Sequence, residues 1–139
     1  MQIRPFQPSD TEAVIELWRA CDLLRPWNDP HKDIRRKLDE QPELFLVGER
    51  EGKIVAVLMV GYDGHRGWLN YLGVSPEHRR NGYGRKLVEA AEVLLGDRGC
   101  PKINLQIRTS NLEVIEFYRR LGYVQDDVVS FGKRLEHDG

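Results

Sequence analysis

The chain has 139 residues, enough for one domain with a core of its own and no need of disulfide or metal staples. Hydrophobic residues make up 40% and charged residues 31%, and 21 basic against 22 acidic side chains leave a net charge of −1, which argues against a chain devoted to gripping nucleic acid or anionic lipid. No apolar run approaches the roughly 20 residues of a membrane span, and the first ten residues lack a signal-peptide core, so a cytoplasmic location is expected.

Strand-like and helix-like patterns alternate along the chain without repeat or linker, which predicts a single mixed α/β domain over residues 1–139. Residues 2–6 read as a first strand. Ser9 and Glu12 have the S-x-x-E spacing of a capping box and predict a helix opening at Ser9. Val14, Leu17, Trp18 and Cys21 share the apolar face of that helix. Asp29 before Pro30 predicts the cap and first position of a second helix, with Ile34 and Leu38 as its apolar points. The irregular stretch 22–29 between the two helices is rich in large side chains.

Residues 44–49 form the next predicted strand, Glu51-Gly52 a turn, and residues 53–62 a longer strand. Residues 54–60 are continuously apolar, as in a central strand covered on both faces. Asp63-Gly64 suits a tight hairpin turn leading back through residues 68–74. A helix follows over residues 84–96, with Leu87, Val88, Ala91, Leu94 and Leu95 facing inward. Ile103, Leu105 and Ile107 alternate with Asn104, Gln106 and Arg108, so residues 102–108 read as a strand. Ser110 and Glu113 make a second capping box, opening a helix that ends at Gly122, and residues 127–135 read as a final strand. The predicted order is βααβββαβαβ. Cys21 and Cys100 form no C-x-x-C pair, which predicts two buried, inert thiols and no metal site.

The informative chemistry lies in residues 74–87. A strand ends, a glycine-containing loop follows, and a helix begins. His78, Arg79, Arg80, Asn81, Gly82, Tyr83, Gly84, Arg85 and Lys86 include four full positive charges and no acid. Glycines bring backbone N–H groups close to a ligand, and a helix N-terminus adds free donors and partial positive charge. Together they make an anion site suited to a pyrophosphate. A Walker loop needs G-x-x-x-x-G-K-[ST], which is absent, and Leu87 stands where a dinucleotide fingerprint needs its third glycine. The pattern R/Q-x-x-G-x-G/A is matched in full by residues 79–84.

On this motif the chain resembles the GNAT superfamily of acyl-CoA-dependent N-acyltransferases. The stretch 111–123, Asn-Leu-Glu-Val-Ile-Glu-Phe-Tyr-Arg-Arg-Leu-Gly-Tyr, resembles a second block of that family, and the predicted element order is also the family's. Residues 21–30, 61–67 and 99–105 resemble one particular bacterial acetyltransferase within it. The resemblance implies a mixed central sheet of six to seven strands, flanked by helices on both faces and splayed between the fourth and fifth strands. It also implies transfer of an acetyl group from acetyl-CoA to a primary amine, with no metal. A dimer is common in such a family. Another acyl-CoA as donor, or a non-catalytic acyl-CoA sensor, are the alternatives.

The resemblance also assigns roles. The backbone of Leu72, Gly73 and Val74 would bond the pantetheine arm and polarise the thioester, and Gly73 would mark a bulge that splays the strand. Residues 79–85 would hold the pyrophosphate. Asn111 would bond the cofactor arm, and Tyr118 would protonate the departing thiolate. Trp68 stands where the histone-modifying branch places a glutamate base. Without that base, presenting a neutral lysine-type amine at pH 7 costs roughly 4–5 kcal/mol, against about 1–1.5 kcal/mol for an α-amine. Asp63 and His65 are candidate bases on the hairpin, turn-making and solvation being the plainer readings. Asp22, Arg25, Trp27 and Asn28, with Tyr62 and Asp63, are expected to wall the acceptor site. His31, His78 and His137 read as surface residues.

Overall fold

A computed structural model describes residues 1–138. The chain divides into two compact units, residues 1–105 with Asp138, and residues 106–137.

The first unit is built on a five-stranded sheet: β1 (Gln2–Pro5), β2 (Phe45–Arg50), β3 (Lys53–Tyr62), β4 (Gly67–Val74) and β5 (Ile103–Leu105), in that spatial order. The first four strands run antiparallel to their neighbours, and β5 pairs parallel to β4. Three helices accompany it: α1 (Thr11–Ala20), α2 (Pro30–Asp39) and α3 (Tyr83–Asp97). The apolar run of β3 sits in the middle of the sheet, as its sequence predicts. Val57 joins Val14, Trp18, Ile34 and Phe45 in a core with α1 and α2. Ala56 and Leu58 point to the opposite face and are equally buried. Leu87, Val88, Ala91 and Leu95 form the buried stripe of α3, and truncating Leu87 to alanine would cost about 2–5 kcal/mol.

Several boundaries differ from the sequence reading. Asp10, not Ser9, opens α1. Its carboxylate accepts the Gln7 N–H at 2.8 Å and is held by a two-pronged Arg4 guanidinium at 2.8 and 3.0 Å. The side chain makes no bond to α1 itself; it closes the turn before the helix, and Arg4 keeps the Asp10 carboxyl below the ordinary range. The fifth strand is confined to Ile103–Leu105, where its ladder with Gly67–Leu69 ends. The strand expected at residues 127–135 does not form, so the sheet has five strands instead of six or seven. Gly132 and Lys133 interrupt the apolar alternation there, and Val128, Val129, Phe131 and Leu135 stay exposed. Without a ladder an extended segment is not a strand.

The second unit carries α4 (Leu112–Arg120). Asn111, not Ser110, is its cap, accepting the Val114 N–H on Oδ1 at 3.3 Å. No helix among the described residues is long and apolar enough to cross a membrane.

Candidate functional site

The end of β4 is shaped by a bulge. Val57 and Met59 of β3 face Gly73 and Asn70 of β4, so β4 carries one extra residue between them. Tyr71 absorbs the distortion, with φ at 55°. The bulge thus sits at Tyr71 and Leu72, not at Gly73 as the glycine suggested. Gly73 serves packing instead: a Cβ there would lie 3.3 Å from both Cys21 Sγ and Leu23 Cδ1, so the end of α1 rests on this strand. Cys21 Sγ donates to the Val74 carbonyl at 3.2 Å, and Arg79 Nε to the same oxygen at 3.3 Å. Both cysteines are half-buried, more open than expected. Pairing with β5 covers only Gly67–Leu69, so β4 from Asn70 onward runs free of β5.

The loop after β4 places two closely spaced kinks before α3. Arg80 has φ 69° and Gly82 φ 75°, both in the left-handed region, and Asn81 Nδ2 donates to the His78 carbonyl at 2.9 Å. Gly82 is the residue before α3, and no side chain caps that helix end. The first turn contains no acid. Arg79, Arg80, Gly82 and Arg85 are exposed, Arg85 with an ion pair to Glu89 at 3.2 Å. Tyr83 and Gly84 are buried. The Tyr83 hydroxyl accepts from Arg50 Nη1 at 2.9 Å, and the Lys86 ammonium lies 5.9 Å from its ring centre. This is an uncapped helix start ringed by exposed cations, with Tyr83 buried at its first position. His78 is not a plain surface residue: its ring stacks on Tyr83 with centres 6.5 Å apart, and its Nδ1 is buried without a partner among the described residues.

The stretch 22–29 is built largely of turns. α1 ends in a Schellman motif: Asp22 N–H donates to Arg19 at 3.1 Å, Leu23 N–H to Trp18 at 2.9 Å, and Asp22 sits at φ 57°. Arg25 Nη1 donates to the carbonyls of Asp22 and Leu24 at 2.8 and 2.9 Å. Asn28 N–H closes a turn onto Arg25 at 3.1 Å, and Trp27 is 46% exposed. Asp29 caps α2 through the N–H groups of His31 and Lys32.

The hairpin between β3 and β4 is organised by Asp63. Its Oδ1 accepts the N–H groups of His65 and Arg66 at 2.8 and 2.7 Å, and its Oδ2 accepts from Trp68 Nε1 at 3.2 Å. These bonds, the Arg66 one foremost, hold its carboxyl below the ordinary carboxylate value. A carboxylate so stabilised is a weaker base, and Asp63 is first of all a turn former. His65 is exposed beside it, and the Tyr62 hydroxyl donates to the Gly64 carbonyl at 3.3 Å.

In the second unit, α4 ends as the sequence predicts. Gly122 (φ 92°) donates to Arg119 at 3.0 Å and Tyr123 to Tyr118 at 3.0 Å. The Tyr118 and Tyr123 rings meet edge-on at 5.4 Å, the apolar contact that accompanies this cap. Tyr118 is the buried side chain of α4, and burial pushes its phenol pKa up.

Sequence reasoning missed Tyr71, Arg50 and Gln41. Tyr71 is a non-glycine at positive φ and gives no local signal. Arg50 and Gln41 act across 33 and 21 residues of chain, on Tyr83 and Tyr62.

The chain matches the acetyltransferase (GNAT) family over residues 11–123. It is 54% identical over 135 residues to an acetyltransferase of Yersinia enterocolitica, covering 97% of this chain and 96% of that one. The fold is shared with an aminoglycoside 6'-N-acetyltransferase from Acinetobacter haemolyticus, at a TM-score of 0.76 and 22% identity over 98% of this chain and 100% of that chain. It is also shared with AAC(6')-Iy, solved in complex with the bisubstrate analogue CoA-S-monomethyl-acetylneamine, at a TM-score of 0.78 and 16% identity over 96% and 97% of the two chains.

Proposed function

Since the chain belongs to the acetyltransferase (GNAT) family, we propose that it moves an acetyl group from acetyl-CoA to a primary amine, with residues 1–139 acting as one N-acetyltransferase domain. The observation that carries this reading is the start of α3: an uncapped helix end behind a left-handed Gly82, free of acids and flanked by Arg79, Arg80 and Arg85. Those donors fit a pyrophosphate. The family match runs through both units, which supports treating them as one domain.

Acetyl-CoA supplies the acyl group already activated as a thioester. In this reading Asn81, Gly82, Tyr83 and Gly84 present the loop and helix backbone to the pyrophosphate, and Arg79, Arg80 and Arg85 neutralise it. Leu72, Gly73 and Val74 lie beyond the reach of β5, so their edge is available to the pantetheine arm. Donors of that edge aimed at the carbonyl oxygen stabilise the charge that develops as the amine attacks, an effect of about 3–4 kcal/mol per well-placed donor. Asn111 bonds the cofactor arm, and Tyr118 returns a proton to the thiolate. Asp22, Arg25, Trp27, Asn28 and Tyr62 wall the amine, and Asp63 attracts it as a counter-charge. Its lowered pKa leaves His65 or water to take the proton.

The test is calorimetric titration of CoA into the wild type and Gly82→Val. Nothing lies within 4 Å of a Cβ at Gly82, so the first added atom meets open space, and the change forces a β-branched residue to φ 75°. That strain is about 1–2 kcal/mol, which moves the loop away from its binding geometry. A loss of about 1.4 kcal/mol is a decade in affinity, so CoA should bind roughly tenfold more weakly with the fold kept. Equal affinity in the two proteins would overturn the assignment. Thiol release on a panel of amines separates an enzyme from a CoA-binding sensor.

A further inference from the structure

The first turns of α2 hold a carboxylate that the reaction above does not use. Arg36 reaches Asp138 with both terminal nitrogens, Nη1 to Oδ2 at 3.1 Å and Nη2 to Oδ1 at 2.8 Å. The Asp29 backbone N–H donates to Oδ2 at 3.1 Å. Arg36 is on the rim of the molecule, yet the Asp138 side chain beneath it has no exposed area. A two-pronged guanidinium with a backbone N–H is the geometry that recognises carboxylates. Arg36, with the Asp29 N–H and the charge of Lys32, holds the Asp138 carboxyl well below the usual range.

Helix capping does not account for Asp138. α2 is already capped by the Asp29 side chain on His31 and Lys32. Nor does Arg36 need Asp138 for its orientation, since Asp33 Oδ1 holds Nη1 at 3.0 Å. The other oxygen of Asp33 accepts from the Tyr71 hydroxyl at 2.7 Å. Tyr71 is the bulge residue of β4, two positions before Gly73. Hydrogen bonds therefore link the bulge to the carboxylate through Asp33 and Arg36. Asp29 also closes the stretch read above as the acceptor wall.

We propose that Arg36 and the Asp29 N–H form the carboxylate-binding part of the acceptor site, that the acceptor is an amine also bearing a carboxylate, as an amino acid does, and that Asp138 fills this place until the acceptor displaces it. The proposal rests on the N-acetyltransferase reading for its catalytic consequence, though binding alone can test it.

The experiment follows the Asp29 amide signal by NMR in the full chain while phenylalanine or phenylalaninamide is added; the two differ only in the carboxylate. In Asp138→Asn and Asp138→Ala the signal should shift saturably with phenylalanine and not with the amide. It should do so at about one-tenth of the concentration the wild type needs, because an internal occupant reduces apparent affinity by the fraction of sites left free. Arg36→Met should abolish the response. Equal responses to acid and amide, or Asp138 variants that lower the melting temperature without changing the titration, would overturn the proposal. No turnover is needed for this readout. Failure of every amine to release thiol from acetyl-CoA would instead overturn the transferase reading.

Discussion

Gln41 grips the backbone of Tyr62 from both sides: its Nε2 donates to the Tyr62 carbonyl at 2.8 Å, and its Oε1 accepts the Tyr62 N–H at 2.9 Å. β2 begins at Phe45 opposite Met59, so β3 outruns its neighbour. The groups that would pair with a longer β2 are met by side chains, Lys37 Nζ on the Val60 carbonyl and Gln41 on Tyr62. Lys37 is buried for this purpose, and burial lowers its pKa. Gln41→Ala strands a donor and an acceptor at the root of the hairpin, a loss of about 1–3 kcal/mol. The Tyr62 amide should then exchange faster with solvent. Gln41→Gly loses the same bonds but relieves the φ of 57°, and should melt above the alanine variant. A protected Tyr62 amide in both variants would show that the grip is dispensable.

Asp22 occupies the position after a helix where glycine is favoured, at φ 57°, with a side chain 98% exposed. Asp22→Gly should therefore stabilise the protein by about 0.5–1 kcal/mol, seen as a higher melting temperature. Asp22→Asn keeps the backbone preference and removes the charge. If Asp22 draws the ammonium, both variants raise the acceptor KM. If they leave KM alone, Asp22 is turn chemistry and leaves the acceptor wall.

Local chemistry is legible in the sequence wherever a residue acts on its near neighbours. Asp29-Pro30, Glu51-Gly52 and Gly122 each appear where the pattern places them, because caps and turns are decided within a few residues. The central position of β3 follows from its unbroken apolar run. Asp10 is hidden because its carboxylate answers to Arg4, across a strand end, and not to the helix it precedes. The bulge is misplaced because Gly73 has two possible uses, and the one realised, room for Cys21 and Leu23, depends on tertiary packing. Residues 127–135 have strand-like composition, yet a strand is a relation between two segments and composition describes only one. The glycine loop is the most legible part of the candidate site, since its donors all come from one short stretch. Asp63 reads the same in sequence whether it serves the turn or the substrate.

Tyr118 is buried, and its phenol stays protonated well above the ordinary value of 10.0. Because the folded pKa is the higher one, its contribution to stability is complete below about pH 10 and is lost as pH rises toward the folded value. Tyr118→Phe keeps the ring packed against Phe117 and Tyr123. It should lower kcat by roughly 10²–10⁴, the usual worth of a general acid, with CoA affinity unchanged. The variant should also lose less stability than the wild type as pH rises above about 10. An unchanged kcat under conditions where chemistry limits the rate would assign the proton to water.

Asp63→Asn separates the turn from the charge. The amide oxygen still accepts from His65 and Arg66, so the two stronger turn bonds survive, while the Trp68 contact weakens because Nδ2 cannot accept. Asp63 has a lowered folded pKa, so its contribution is present above the ordinary 3.8 and lost as pH falls through the folded value. The asparagine variant should match the wild type in melting temperature at pH 7 within about a degree or two and should lack that acid limb. A counter-charge for the ammonium would show as an acceptor KM raised roughly twofold to fivefold at low salt, with kcat kept and with the gap closing at high salt because screening raises the wild-type KM toward the variant's. A base would show instead as a lower kcat. The lowered pKa favours the first outcome: a carboxylate already satisfied by two backbone N–H groups and an indole gives up little by staying charged and gains little by taking a proton. Unchanged kinetics in the asparagine variant, with Asp63→Ala melting lower, would leave Asp63 to the hairpin alone.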